Sequence, residues 1–151
     1  MVYNDNLAKR YNAEISSLIA SYFEYRKDKN HFPRELFDQF IESFDIFSLI
    51  VREEDSVLSE EFMTFIRLIS KEFAAFSTVL LTQACYGIYP INRYGSPKQK
   101  SLYLEKLIKG EILAGLGFSE GSLGENLGLI TTTATKTSNG WRLSGKKSIV
   151  S

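Results

Sequence analysis

The chain holds one histidine, one cysteine, three prolines and one tryptophan among 151 residues, and its net charge is zero. Each scarcity excludes something. A lone cysteine, Cys85, cannot form an internal disulfide and fits a reducing, cytoplasmic setting. It reads as a small buried apolar residue rather than a nucleophile, since no histidine lies near it in sequence. One histidine and one cysteine cannot assemble the usual zinc ligand set. A Ser-His-Asp hydrolase would have to depend on His31 alone, which stands beside Phe32-Pro33 and suits a solvated loop or a packing role. Eighteen basic residues balance eighteen acidic ones, so nothing points to nucleic acid or to an anionic membrane surface. The longest mostly apolar run, near residues 73–81, is broken by Ser77 and Thr78 and is too short to cross a bilayer. The first residues lack the apolar core of a secretion signal.

What is present changes character near Gly110. Before it, apolar residues recur at helical spacing. Leu7, Tyr11, Ile15, Leu18 and Tyr22 make one stripe over residues 5–27, with Asn4 or Asp5 as cap and 27–30 as a polar exit. A second helix starts at Pro33, where a missing N–H costs nothing, and buries Leu36, Phe37, Phe40, Ile41 and Phe44. Residues 52–55 are a charged connector. Ser59 caps a third helix with Glu60 and Glu61 in its first turn. Its face is Phe62, Phe65, Ile66, Ile69, Phe73 and Phe76, a core stripe rather than a cofactor box. A fourth helix spans 77–89 and stops before Pro90. The fifth opens with Ser96 as cap, Pro97 as first residue and Gln99 closing a capping box. Leu102, Leu104, Leu107 and Ile108 supply its apolar surface, and Gly110 ends it.

After Gly110 the pattern predicts a strand over 111–118, a glycine-rich loop over 119–128 and a β-branched strand over 129–136. Asn139-Gly140 signals a hairpin turn, because both positions tolerate positive φ. Residues 141–143 return as a third strand. Gly145 interrupts it, and 146–151 form a fourth strand or its continuation past a bulge. The expected fold class is α+β: an all-α helical bundle over residues 1–110, then over 111–151 the beginning of an antiparallel β-barrel or sandwich domain. So small a sheet leaves open edges, which leads to the expectation that the chain is truncated.

The loop Phe118-Ser119-Glu120-Gly121-Ser122-Leu123-Gly124-Glu125-Asn126 is the most informative segment. Gly121, Gly124 and Gly128 permit positive φ and close backbone approach to a ligand, and exposed N–H groups there suit an anionic or carbonyl-bearing one. Taken alone, such a loop also serves as a plain connection between strands. No GxGxxG opens a helix after a strand, so it is not a dinucleotide fingerprint.

The surrounding order is more specific. Tyr94-Gly95-Ser96-Pro97 leads through Gln99-Lys100 to Leu104, Leu107, Ile108, Gly110 and Glu111. Phe118-Ser119-Glu120 follows, then Thr133-Ala134-Thr135, a hairpin, and Trp141-Arg142-Leu143 with Gly145 and Lys147. In this order and at these gaps the run resembles the acyl-CoA dehydrogenase family, closely from residue 94 to 151. Upstream the likeness is weaker and rests on Phe32-Pro33-Arg34-Glu35-Leu36. The resemblance implies a helical domain, a middle β domain and a C-terminal four-helix domain, assembled as an oligomer. It also implies an FAD cofactor and α,β-dehydrogenation of an acyl thioester.

Carried over by position, Leu116, Phe118, Ser119, Gly124 and Glu125 match the family's flavin-contacting loop, with Ser119 in place of a Thr whose hydroxyl bonds the flavin. Ile149, Val150 and Ser151 match a second flavin segment, and Ser151 keeps a hydroxyl there. Glu125 also stands where the family passes the substrate's thioester arm. The departures are Gly121 for a Pro, Glu125-Asn126 for Ser-Asp, Ile149 for an aromatic, and a second-helix connector without the usual Gly-Gly. A carboxylate at Glu125 repels a polyanion, which suggests a thioester carried on a carrier protein rather than on free CoA. No catalytic residue is assigned in this chain: the family's base belongs with the C-terminal domain, and Glu53, Glu54, Glu120 and Glu125 do not stand in for it. Two competing expectations are a split or non-catalytic interaction subunit whose partner supplies a C-terminal helical domain, and a flavin-dependent monooxygenase on the same scaffold.

Overall fold

Aromatic residues at helical spacing bury themselves by pairing helices. In the computed structural model, which describes residues 5–25, 31–52, 59–121, 127–148 and 150, this produces a first compact unit ending at Ala114 and a second starting at Gly115.

The first unit is helical: α1 (Asp5–Tyr25), α2 (Arg34–Phe44), the short α3 (Leu49–Arg52), α4 (Glu60–Glu72) and α5 (Ala74–Thr82). Within the α1 stripe Ile15 is buried with Ala8 and Ile19, and Tyr11, Leu18 and Tyr22 pack partly against the core. Residues 1–4, 26–30 and 53–58 and the Leu7 side chain lie outside the described residues, and with them the Asn4 cap, the polar exit and most of the charged connector. α2 buries Leu36, Phe37 and Phe40. It stops at Asp45, whose φ of 45° supplies a left-handed turn; Asp is one of the few residues besides Gly that adopt it readily. The Ser59 hydroxyl accepts from the Phe62 N–H at 3.1 Å and so caps α4.

Phe37, Phe40, Phe47, Phe62, Phe65 and Phe76 are each fully buried. Burying one such ring contributes about 1.5–3 kcal/mol. Phe40 meets Phe76 edge-on at 5.1 Å, and Tyr11 lies 4.4 Å from Phe65.

Two helix boundaries differ from expectation. The third-helix stripe is divided, because α4 ends at Phe73 (φ −148°, ψ 81°) and Phe76 reaches the core from α5. Hydroxyls compete for backbone carbonyls on both sides of this break: Ser70 donates to Ile66 O at 2.6 Å and Ser77 to Ala74 O at 2.7 Å, a habit that bends helices. Pro90 does not stop the next helix. α5 continues into a π turn over Gln83–Ile88, and α6 (Tyr89–Tyr94) carries Pro90 in its first turn. Tyr89 N–H donates to Ala84 O, five residues back, so the missing Pro90 donor falls where the bonding register has already shifted.

The capping box forms as expected. Ser96 N–H donates to Gln99 Oε1 at 2.8 Å, and Gln99 N–H to Ser96 Oγ at 3.3 Å. The helix runs through α7 (Pro97–Gln99), a π turn over Lys100–Leu104 and α8 (Glu105–Ile108), and turns out at Gly110 (φ 67°). Leu107 is buried, whereas Leu102 is exposed.

The strand expected over 111–118 does not form. The Gln83 amide takes the partners a neighbouring strand would need: its Nε2 donates to Leu107 O at 2.9 Å and Ile112 O at 3.0 Å, and its Oε1 accepts from Ala114 N–H at 2.9 Å.

The second unit holds a 3₁₀ turn at Leu127–Leu129 and an antiparallel hairpin, β1 (Thr133–Thr137) with β2 (Gly140–Ser144). The 129–136 strand therefore begins later than expected. Thr137 pairs with Gly140, which puts Ser138-Asn139 at the tip, and Gly140 (φ 135°) takes the positive φ while Asn139 does not. That matches a turn followed by glycine rather than the Asn-Gly turn the sequence suggests. No fourth strand is described; Val150 makes an isolated antiparallel bridge with Gly117. The class is nonetheless as expected, a helical domain followed by antiparallel β structure. No described helix is long and apolar enough to cross a membrane.

Candidate functional site

Two sequence stretches matched to flavin contact, one before the hairpin and one after it, meet in the second unit. Gly117 bridges to Val150. Ser119 O accepts from Ser148 N–H at 2.9 Å and from its hydroxyl at 3.1 Å. Lys147 Nζ donates to Phe118 O at 3.2 Å. Leu116, Phe118 and Val150 are exposed there and Ser119 is half-buried. Among the described residues nothing bonds the Ser119 hydroxyl. Gly124, Glu125, Ile149 and Ser151 lie outside the described residues.

The residue at the centre of this junction is Glu120, 5% exposed. Oε2 accepts from Thr131 N–H and from the Thr131 hydroxyl, each at 2.7 Å. Oε1 accepts from Thr132 N–H at 3.0 Å, from the Thr132 hydroxyl, and from Lys147 Nζ at 2.8 Å. The Lys147 ammonium foremost, then the Thr132 and Thr131 hydroxyls and the Thr131 N–H, hold its carboxyl well below the usual carboxylate range. A carboxylate so bonded stays ionised and has no lone pair left for a substrate proton.

In the sequence Glu120 stands out only as an acid that does not replace the family's base, and Thr131, Thr132 and Lys147 carry no visible role. Their link spans up to 27 residues, beyond any local pattern. The available signal was an acid inside a glycine-rich loop, followed by paired threonines and a later lysine.

In the helical unit, burial raises the pKa of the half-buried Cys85 thiol, which disfavours the thiolate. Among the described residues no group of three or more His, Cys, Asp and Glu side chains is arranged to hold a metal ion.

Comparison with known proteins places the helical unit. The family described as acyl-CoA dehydrogenase, N-terminal domain, matches residues 5–111. The chain is 25% identical over 143 residues to the glutaryl-CoA dehydrogenase of Desulfococcus multivorans, covering 91% of this chain and 36% of that protein. It is 30% identical over 122 residues to the mitochondrial isovaleryl-CoA dehydrogenase of Oryza sativa subsp. japonica, covering 78% of this chain and 30% of that one. A third relative, the L-prolyl-[peptidyl-carrier protein] dehydrogenase of Serratia sp. (strain ATCC 39006), is 32% identical over 68 residues, 45% of this chain and 18% of the relative. The chain thus spans about a third or less of the length of these relatives. With the family's N-terminal domain matched across nearly the whole helical unit, the chain belongs to the acyl-CoA dehydrogenase family.

Proposed function

We propose that this chain supplies the helical domain and the opening of the flavin-holding β domain of an FAD-dependent dehydrogenase acting on an acyl thioester. The proposed domain boundary falls at about residue 110. The observation that carries the reading is the meeting of residues 117–120 with Lys147, Ser148 and Val150 in a chain of this family. Leu116 and Phe118 are exposed apolar side chains flanking Gly117 and offer themselves to a ring face, Val150 is exposed on the paired segment, and the Ser119 hydroxyl suits a polar ring edge. These residues fit a flavin, with Gly124, Glu125, Ile149 and Ser151 as its further contacts. A bound FAD supplies the acceptor for the two electrons removed as a double bond forms between the α and β carbons.

Within the second unit, Glu120 is spent on its own hydrogen bonds. By the family resemblance the base that takes the α-proton belongs to a C-terminal helical domain, in the same chain or in a partner, and the proposed assembly is a homo-oligomer or such a complex in the cytoplasm. Glu125, matched to the path of the thioester arm, favours an acyl group on a carrier protein over free CoA. One relative is named for a peptidyl-carrier-protein substrate, in line with that choice, and the two matched over more of the chain are named for CoA thioesters.

A titration of the purified chain with FAD, alone and co-expressed with a C-terminal helical domain of the family, tests the reading. Stoichiometric retention with the added domain is expected, followed by turnover of acyl thioesters. No retention in either preparation would overturn the flavin reading in favour of an interaction subunit. Oxygen-dependent hydroxylation without dehydrogenation would favour a monooxygenase.

A further inference from the structure

Among the described residues of the second unit, Glu120 is the one that is buried; both hairpin strands are exposed along their whole length. The described part of the unit is therefore organised around a carboxylate instead of an apolar core. Five donors converge on its two oxygens, filling the roughly four lone-pair sites a carboxylate offers. Three stretches, 118–120, 131–132 and 147–148, are tied at this one point. Lys147 connects them twice, since its Nζ reaches both Glu120 Oε1 and Phe118 O.

We infer that Glu120 is a positioning residue: acting through Lys147, Thr131 and Thr132, it fixes the Phe118-Ser119 backbone against Lys147 and Ser148, next to the Gly117–Val150 bridge, so that the loop and the segment carrying Val150 are held ready for one ligand. This rests on the flavin reading above. Without the carboxylate, nothing apolar among the described residues of the unit is buried to hold the stretches together, and buried polar networks lose most when one member is removed.

Two variants test it in the chain co-expressed with the C-terminal domain. Glu120→Gln keeps the shape but turns an NH2 group toward converging donors. Lys147→Arg keeps the charge and the donors. In Glu120→Gln, exchange of the Ser148 amide hydrogen, which is bonded to Ser119 O, should accelerate while amides of α4 remain protected. The FAD dissociation constant should rise about tenfold or more, the loss of at least one charge-assisted hydrogen bond. The visible flavin band of the remaining complex should move toward that of free FAD. Lys147→Arg should stay within about threefold of the unmodified chain, since the charged bond persists. Unchanged affinity and spectrum in Glu120→Gln would overturn the inference while leaving the flavin reading intact. So would weaker binding with Ser148 exchange unaltered, because Glu120 would then act by direct contact. Failure of the unmodified complex to bind FAD would overturn both, and is read from a separate arm.

Discussion

At the scale of single residues, Glu120 gives the chain a pH dependence with a definite sign. Its carboxyl is held down by Lys147 and the two threonines, below the unfolded value of about 4.3. The bonds therefore contribute in full above that value, and the contribution fades as pH falls through the folded pKa. NMR signals of β1 and β2 followed from neutral pH into acid should show the second unit weakening below about pH 4, where the unfolded carboxyl takes up protons. Glu120→Gln should be less stable at neutral pH and lack that acid-side slope. Gly145 offers a second test. At φ 152°, a Cβ there would collide with the Thr132 hydroxyl and lie 2.7 Å from Thr132 Cα, the same Thr132 that serves Glu120. Gly145→Ala should cost the second unit about 1–3 kcal/mol through backbone strain and the clash, measured by amide exchange in the hairpin.

At the scale of elements, what could be foreseen depended on how local its cause was. The Ser59 cap and the Ser96–Gln99 box need only a few neighbouring residues, and both were legible as written. The missing strand at 111–118 was not, because its cause is a glutamine 24 to 31 residues upstream of its bonding partners. Pro90 misled for a related reason. Proline marks a helix end only if the register before it is α-helical, and here a π turn precedes it. At the candidate site, the two matched stretches could be identified from motif order, while the Glu120 knot that joins them is a long-range contact without a periodic trace. Gln83→Leu should therefore do more harm than a surface change in the same helix. It would leave Ala114 N–H without its acceptor and take the amide donor from Ile112 O, while Leu107 O keeps the Gly110 N–H, at an expected cost of about 1–3 kcal/mol in denaturant unfolding of the helical unit.

For the molecule as a whole, the two units rest on different physics. The first is held by buried rings and the second by charge-assisted hydrogen bonds beneath an exposed hairpin. Substitutions should be felt unequally. Phe40→Ala opens a cavity between Phe44 and Phe76 and should cost about 3–5 kcal/mol. Trp141→Ala, on a side chain 67% exposed, should leave the thermal transition of the helices within about 0.5 kcal/mol of the unmodified chain. Equal losses from both would contradict the separation.

That separation places an optical label where it is most useful. Trp141 is the chain's one tryptophan, and it sits on β2 rather than among the rings of the core. Excited selectively, the indole should emit as a water-exposed group and be quenched freely by iodide, whatever the state of the helices. A far-ultraviolet spectrum dominated by helix reports the other unit at the same time. When another domain, a second copy or a carrier protein covers the hairpin, the emission should move to the blue and quenching should fall, so that assembly can be titrated without attaching any dye.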